Sequence, residues 1–277
     1  GRVAMQDTQD SAQATAQDTD EKSYSVPPVE RAIKLLRYIG DGNTSRNLST
    51  ASKALGINRT TLIRLIHTLL DTRMIEEIAE GAGYRLGAGL ISLGAQAIHG
   101  RDIVHICQPI LAELCTATGM SSHLGILDGL DIVYLSRETP NTHLVSNVRA
   151  GSRLPAHASS IGRAILAELS ADELRALFAD HVLIQSTEKT PMTLDAILAQ
   201  AQADNAAGVA WSEGNFERGI GSCAAVIRDH QGKPVGAINV SGPQNAFTAE
   251  TEAGLDDIKQ AVARACRQAS LELGYSG

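Results

Sequence analysis

Aromatic residues are scarce in this 277-residue chain, which contains three Phe, five Tyr and one Trp. A pocket in such a chain is expected to be aliphatic and polar, and it still accepts an aromatic ring. The four cysteines, Cys107, Cys115, Cys223 and Cys266, show neither Cys-x-x-Cys nor Cys/His ligand spacing. They are predicted to be buried small hydrophobic residues, not a disulfide framework or a metal site. The sequence indicates no cofactor.

Long apolar runs are also missing, since none approaches the ~20 residues that a membrane span requires. We find no secretory signal in the sequence. Its 43% of hydrophobic residues are enough for two packed domains. These observations predict a cytoplasmic protein without a membrane partner.

Only one part of the chain has a net positive charge. Residues 1–24 hold 2 basic and 5 acidic side chains and lack large apolar residues before Tyr24, so they are expected to be a disordered tail. Residues 25–90 hold 9 basic and 6 acidic side chains, a net charge of +3, whereas residues 91–277 carry −7. Phosphate is therefore attracted selectively to the segment that follows the tail.

That basic segment contains LSTASKALGINRTTLIRLIHTLL, residues 48–70, which predicts two short helices joined by a tight turn. Ser49 is expected to cap the first helix, and Gly56 to end it in a left-handed conformation. Asn58 is expected to cap the second helix. The layout is typical of a helix-turn-helix, whose second helix lies in the DNA major groove.

The second helix has one apolar and one polar face. The apolar positions that repeat at helical spacing are Leu62, Leu65, Ile66 and Leu69. The opposite face carries Thr60, Arg64, His67 and Thr68. An outer face rich in Arg and Thr suits DNA contacts, although any two amphipathic helices joined at a Gly-Ile turn show the same pattern.

The flanking segments favour the DNA-binding interpretation. Upstream, a third helix is predicted after Pro27-Pro28, with the apolar face Val29, Ala32, Ile33, Leu36 and Ile39. Downstream, Gly81 and Gly83 permit a hairpin between residues 75–79 and 84–86. Residues 25–87 are thus predicted to be a winged helix-turn-helix, and residues 88–100 a linker helix. Three glutamates make the wing acidic, so Arg85 is expected to be its one strong DNA contact.

Residues 101–277 predict an α+β domain in which helices flank an antiparallel sheet. The predicted strands are residues 123–127, 132–135, 144–148, 222–228 and 235–240. The first predicted helix begins near residue 103 and ends at Gly119. The other predicted helices cover residues 161–169, 172–178, 194–206 and 249–273. Leu154-Pro155 is expected to break the pattern before the second of these helices.

The helix that starts near Ser159-Ser160 suggests a binding site. Its first amide N–H groups lack intrahelical partners, so the Ser160 and Ile161 amides and the two hydroxyls can hold a small carboxylate or phenolate. Plain N-capping by Ser159 explains the same residues. Opposite this helix start we expect strands carrying Ser222-Cys223 and, on one face, Asn239 and Ser241.

The chain resembles the isocitrate lyase regulator (IclR) family of bacterial transcription factors from about Val26 to Gly274. The stretches that carry the resemblance, in order, are VERAIKLLRYI, GINRTTLIRLIHTL, GYRLG with LISLG, RLPAHASSIGRAILA, GVAWSEGNFERGIGSCAAVIRD and PVGAINVSGP. The resemblance implies a winged helix-turn-helix joined by a linker helix to a C-terminal GAF-like effector-binding domain. It also implies homodimers or dimers of dimers on double-stranded operator DNA.

Two departures from the family pattern concern the effector domain. The effector loop, commonly His-Ala-Thr-Ala-x-Gly-Lys, is here HASSIGR, residues 157–163, so Ser160 adds a hydroxyl at the pocket mouth. Where the family often has a cysteine, this chain has Ser222, and Cys223 follows it. Ser212 and Glu217 match rim positions of the family pocket.

These arguments give two sets of candidate site residues. The predicted DNA contacts are Ser49, Arg59, Thr60, Thr61, Arg64, Thr68 and Arg85. The predicted effector contacts are Leu124, His157, Ser159, Ser160, Ile161, Trp211, Ser212, Glu217, Ile220, Ser222, Cys223, Asn239 and Ser241. Two roles remain open in this set, since Trp211 also suits a core or an interface and Glu217 also suits backbone capping.

The sequence therefore predicts a transcriptional regulator, most simply a repressor, that responds to a small carboxylate or a benzoate-like aromatic compound. One alternative is a small-molecule hydrolase that uses the histidine, serines and cysteine near the pocket. Against it, the chain has no Gly-x-Ser-x-Gly elbow and no carboxylate placed to orient a base, so no catalytic residue is assigned. The other alternative is an interaction protein that binds no DNA, which leaves the polar pocket unexplained.

Overall fold

The computed structural model describes residues 24–99, 102–140, 150–248 and 252–277. The predicted tail, apart from Tyr24, and the predicted strand 144–148 lie outside these residues. The chain divides into two compact units, residues 1–100 and residues 101–277, which are described in turn. In the described part of the chain, no helix has both the length and the apolar character needed to cross a membrane.

The first unit has the element order of a winged helix-turn-helix. Its elements are α1 Pro27–Gly40, α2 Leu48–Leu55, α3 Arg59–Asp71, β1 Ile75–Glu77, β2 Tyr84–Leu86 and α4 Ala88–His99. The strands β1 and β2 pair antiparallel as the predicted hairpin. Leu35, Leu62 and Ile75 are fully buried where the three helices and the hairpin meet. The core therefore fixes which face of α3 remains in solvent.

The helix caps confirm two predictions and correct one. Gly56 has φ 64° at the end of α2, and Asn58 Oδ1 accepts a hydrogen bond of 2.8 Å from the Thr61 amide. The predicted Ser49 cap is wrong, because Asn47 caps α2 and accepts from the Ser49 amide at 3.0 Å. The helix therefore begins two residues earlier than a Ser49 cap would place it.

The predicted apolar face of α1 is also partly wrong. Leu35 and Ile39 are buried, whereas Val29 and Ile33 are 55% and 47% exposed. The packed stripe runs through Ala32, Leu35 and Ile39, at i, i+3 and i+7, so the buried face is rotated from the predicted one.

The second unit is an α+β domain, as predicted, built on six strands in the order β5-β4-β3-β8-β7-β6, all antiparallel. The strands are β3 Ser121–Asp128, β4 Asp131–Glu138, β5 Arg153–Pro155, β6 Ala210–Glu213, β7 Ile220–Arg228 and β8 Pro234–Pro243. The helices are α5 Ile103–Thr118, α6 Ser160–Leu166, α7 Ala171–Phe178, α8 Leu194–Ala207 and α9 Glu252–Glu272, with a 3-10 turn at Gln244–Ala246.

Two strands differ from the sequence prediction. Leu154 and Pro155 do not simply break the pattern, since they form β5 and Leu154 pairs with Ile132 of β4. Strand β6 is absent from the predicted strands, yet it pairs with β7 along its whole length. Both strands are only three or four residues long, too short for a clear alternation of apolar and polar residues.

Helices cover both faces of the sheet, and the alternation of strand side chains supplies two cores. On one face α5 and α9 pack against side chains such as Leu124, Ile238 and Val240. On the other face α6, α7 and α8 pack against side chains such as Ile132 and Ala224. Strand β8 is therefore buried on both sides.

A buried ion pair ties α6 to α8. Arg163 donates to Asp204 from Nε at 3.1 Å and from Nη2 at 2.8 Å, and both side chains are at most 6% exposed. Arg163 Nη1 also donates to the Trp211 carbonyl of β6 at 2.9 Å. Gln200 Nε2 donates to the same carboxylate at 3.0 Å. This network joins three elements around the start of α6.

Asp204→Ala is expected to lower the free energy of unfolding of the second unit by ~3–5 kcal/mol, because it leaves the buried Arg163 guanidinium without its counterion. Asp172→Ala is the matched control, since Asp172 pairs with Arg175 at 3.1 Å in solvent and should cost at most ~1 kcal/mol. Calorimetric melting of the three proteins gives the comparison. A similar small loss in both variants would contradict the structural role of the buried pair.

Candidate functional site

The first candidate surface is the solvent face of α3. Arg59, Thr60, Arg64 and Thr68 are exposed there, and Thr61 is partly exposed beside the Asn58 cap. No ion pair involves Arg59 or Arg64 within the described ranges. The helix thus presents two uncompensated cations and several hydroxyls on one side, which suits a polyanion.

The wing presents a charge pair that sequence reasoning missed. Arg85 lies opposite Glu76 in the hairpin register, and its Nε is 2.6 Å from Glu76 Oε1. The side chains are 60% and 45% exposed, so the pair is worth at most ~1 kcal/mol and does not lock Arg85 in place. Ser49 lies exposed in the first turn of α2.

The second candidate site is a cavity between the start of α6 and the sheet. It contains about 340 Å³ of atom-free space, counting the mouth that opens to solvent. Its lining is Tyr134, Leu154, Ser159, Ser160, Ser212, Phe216, Glu217, Ile220, Ser222, Asn239 and Ser241. Eight of the thirteen predicted effector contacts are therefore brought together. Sequence reasoning missed Tyr134, Leu154 and Phe216, which become neighbours only through strand pairing.

Strand register explains the serine-rich wall of this cavity. Ser212 pairs with Ser222, and Ser222 pairs with Ser241, so three serines form a row across β6, β7 and β8. Asn239 lies two residues from Ser241 on the same face of β8, as alternation predicted. Along the sequence these residues are far apart, and only the register joins them.

At the start of α6, Ser159 is the N-cap residue, which is the alternative that the sequence left open. Ser159 Oγ accepts a hydrogen bond of 3.0 Å from the Gly162 amide. A side chain at Gly162 would overlap the carbonyl of Ala156, so glycine lets the helix lie close to the preceding segment. Ser160 is 3% exposed, and its side chain faces Asn239.

Five predicted effector contacts lie outside the cavity. Leu124 and Ile161 are fully buried in the two cores. Trp211 precedes the cavity residue Ser212, and Cys223 follows the cavity residue Ser222. Because side chains alternate along a strand, Trp211 and Cys223 face α9 on the opposite side of the sheet. Burial raises the pKa of the Cys223 thiol to about 12, so it is no thiolate nucleophile at neutral pH.

His157, the fifth of these residues, contacts the segment that contains Ile184. Its Nε2 is 2.9 Å from the Ile184 carbonyl, and its ring meets the Phe178 ring edge-on at 6.2 Å. Burial lowers the pKa of His157, so the imidazole donates to that carbonyl in its neutral form.

A buried polar network forms part of the cavity wall. Asn239 Nδ2 is 3.1 Å from Ser160 Oγ and 3.4 Å from Tyr134 Oη, and Asn239 Oδ1 is 2.8 Å from His123 Nδ1. The His123 and Tyr134 rings stack at 4.6 Å. Burial raises the pKa of Tyr134, so its hydroxyl keeps its proton at neutral pH. Among the described residues, no group of three acidic, His or Cys side chains is placed to hold a metal ion.

Both parts of the chain match domains of known proteins. Residues 28–79 match the IclR helix-turn-helix domain, and residues 95–271 match the domain described as bacterial transcriptional regulator IclR C-terminal. The HTH-type transcriptional regulator XynR of Escherichia coli is 30% identical over 253 residues, covering 90% of this chain and 98% of that protein. The HTH-type transcriptional repressor AllR of Escherichia coli is 26% identical over 236 residues, covering 85% and 87%.

A crystal structure of an ICLR transcriptional regulator from Silicibacter sp. TM1040 superposes with a TM-score of 0.80 at 26% identity, covering 90% of this chain and 96% of that one. These relatives are named as transcriptional regulators, which supports the predicted regulator over the hydrolase alternative. The chain belongs to the IclR family and is a DNA-binding transcriptional regulator with an N-terminal helix-turn-helix domain and a C-terminal IclR effector domain.

Proposed function

We propose that this regulator is a repressor whose operator binding is controlled by a small organic effector held in the serine-rich cavity. The observation that carries the proposal is the cavity itself, a polar and partly apolar chamber inside the C-terminal domain of a DNA-binding regulator. A small carboxylate or a benzoate-like compound suits it best, because hydroxyls provide donors and Leu154, Phe216 and Ile220 provide an apolar wall. The likeness to AllR, named as a repressor, supports the sign of regulation.

For the DNA contact, we propose that α3 enters the major groove. Arg64 and Thr60 lie nearest the base edges, and Arg59 and Thr61, in the first turn, lie near phosphates. Thr68 and Ser49 contribute further backbone contacts. Arg85 of the wing contacts the DNA by exchanging its Glu76 partner for phosphate, at little cost because that pair is exposed.

Arg64→Ala is expected to cost ~1–3 kcal/mol of binding free energy on the cognate operator and little on random DNA, because a base-reading arginine specifies sequence. Equilibrium binding to both DNAs at one salt concentration measures the difference. The control is Arg175→Ala, which removes an exposed arginine from α7 of the other unit and should leave both affinities unchanged. Equal losses on the two DNAs would mean that Arg64 only contacts phosphate.

The second part of the proposal is assembly into a homodimer or a dimer of dimers. A DNA-binding segment of net charge +3 releases few counterions, so one copy binds weakly and a two-fold arrangement is needed for a stable complex. Two recognition helices would then lie on half-sites one helical turn, or a multiple of it, apart.

Light scattering is expected to give two or four times the chain mass of 29.2 kDa. The operator complex should show the same stoichiometry, because the half-sites are read by paired helices. A stable monomer that still binds its operator with full affinity would contradict the assembly.

The effector acts by favouring one arrangement of the cavity walls. A ligand bound there touches the start of α6, strands β6 to β8 and the loop that carries Phe216 and Glu217. It changes operator affinity only through its different affinities for the two arrangements, and such coupling is typically ~1–3 kcal/mol. Because the cavity lining comes from several separate elements, a bound ligand can favour one placement of them over another.

Ser160→Phe tests the site of the effector. The larger side chain fills the cavity next to Asn239, so it should abolish the effector response and leave operator affinity without effector nearly unchanged. Ser160→Ala is the comparison, because it keeps the space and removes one hydroxyl, so it should weaken the effector response without abolishing it. Reporter titration and calorimetry with benzoate give the comparison. Unchanged effector affinity in Ser160→Phe would place the effector elsewhere in the domain.

A further inference from the structure

The residues that precede α1 include a long stretch of negative charge. Residues 3–21, called here the acidic segment, contain five acidic side chains and no basic one. The five are Asp7, Asp10, Asp18, Asp20 and Glu21. The match to the IclR helix-turn-helix domain begins at residue 28, so the acidic segment lies before the matched domain. The proposed function assigns it no role.

The helices α2 and α3 present the opposite charge. Residues 42–70 contain four basic side chains and no acidic one. The four, called here the cationic surface, are Arg46, Lys53, Arg59 and Arg64. All four are exposed, and none of them forms an ion pair with another described residue. Without counterions on the same unit, the cationic surface attracts any anionic chain within reach.

The acidic segment is attached within reach of this surface. It ends at Glu21, and α1 begins at Pro27. Since a chain spans at most ~3.3–3.6 Å per residue, Glu21 can lie up to about 20 Å from Pro27, and Asp7 up to about 65 Å. A folded unit of about 75 residues has a radius of gyration of about 11 Å. The acidic side chains can therefore reach any face of the unit to which they are joined.

We infer that the acidic segment binds the cationic surface of α2 and α3 and competes there with DNA. This inference rests on the proposed function of α3 and adds a form of autoinhibition to it. Arginine and lysine bind carboxylates and phosphates through the same charge-assisted hydrogen bonds, so the two anions are alternative partners.

Covalent attachment makes a weak contact effective. A segment joined to its own binding surface has an effective concentration in the mM range, so a contact with a dissociation constant of about 1 mM is formed much of the time. DNA must displace the segment before it contacts α3. The displaced state is the same for every DNA sequence, so the competition lowers the affinities for operator and random DNA by the same factor and leaves their ratio unchanged.

The first test removes the charge of the acidic segment in the full chain. The variant carries Asp7→Asn, Asp10→Asn, Asp18→Asn, Asp20→Asn and Glu21→Gln. It is expected to bind operator and random DNA each about three- to tenfold more tightly than the wild type at about 50 mM salt. The gain should shrink as salt is raised, because exposed charges are then screened.

The matched control changes the same segment without changing its charge. It carries Gln6→Asn, Gln9→Asn, Gln13→Asn and Gln17→Asn, and it should keep the wild-type affinity for both DNAs. Unchanged DNA affinity in the charge-neutral variant would overturn the inference.

A second test separates binding to the cationic surface from repulsion between the segment and DNA at a distance. Ala14→Cys provides a site for a spin label, since the four native cysteines are buried and react slowly. In the protein without DNA, the label should broaden the amide signals of Thr60 and Thr61 in α3 more than those of Glu77 and Glu80 in the acidic wing. The five charge-neutralising substitutions should remove this difference. If the α3 signals show no charge-dependent broadening, the inference is wrong even when the DNA affinity rises.

The outcomes also separate this inference from the proposed function. If Arg64→Ala leaves operator binding unchanged while the charge-dependent broadening and the gain in DNA affinity persist, the autoinhibition stands and base recognition by Arg64 fails. If Arg64→Ala weakens operator binding and no broadening of α3 is seen, base recognition stands and the autoinhibition fails.

Discussion

The polar face of strand β8 is the constraint on which the effector domain depends. β8 is central in the sheet and buried on both faces, and it places Asn239 and Ser241 where a core strand normally has apolar residues. Buried polar groups are costly without partners, so the surrounding elements must supply them. His123 of β3, Tyr134 of β4 and Ser160 of α6 all meet Asn239. The cavity lies beside this cluster because polar side chains replace core packing there.

The DNA-binding unit depends on a different constraint, the division of α3 into a buried and an exposed face. Leu62, Ile66 and Leu69 fix the helix against the unit's core, and Asn58 fixes its first turn. Arg64 and Thr60 then reach solvent on the opposite side. The same helix provides stability through one face and, in the proposed function, DNA recognition through the other, so substitutions on its outer face should change recognition at little cost in folding.

Sequence reasoning identified most of the elements because their signals are local. Helix α3 follows from apolar spacing and its Asn58 cap, and the shared face of Asn239 and Ser241 follows from alternation in one strand. Tyr134 was missed because its place beside Asn239 depends on strand pairing across the sheet. Of the two roles that the sequence left open for Trp211, the structure shows the core role, because a sequence neighbour of a cavity serine faces the other side of the strand. The Arg163–Asp204 pair, 41 residues apart, has no local signal either.

We propose that occupation of the cavity and occupation of the operator are energetically coupled. Coupling of binding free energies is reciprocal, so it is visible from the effector side as well. The direct measurement is calorimetric titration of benzoate into the protein alone and into its saturated operator complex. We predict that operator DNA weakens carboxylate binding by about 5- to 150-fold, the range that corresponds to ~1–3 kcal/mol of coupling in a repressor released by its effector. Equal affinities in the two titrations would show that the cavity and the operator site are not coupled.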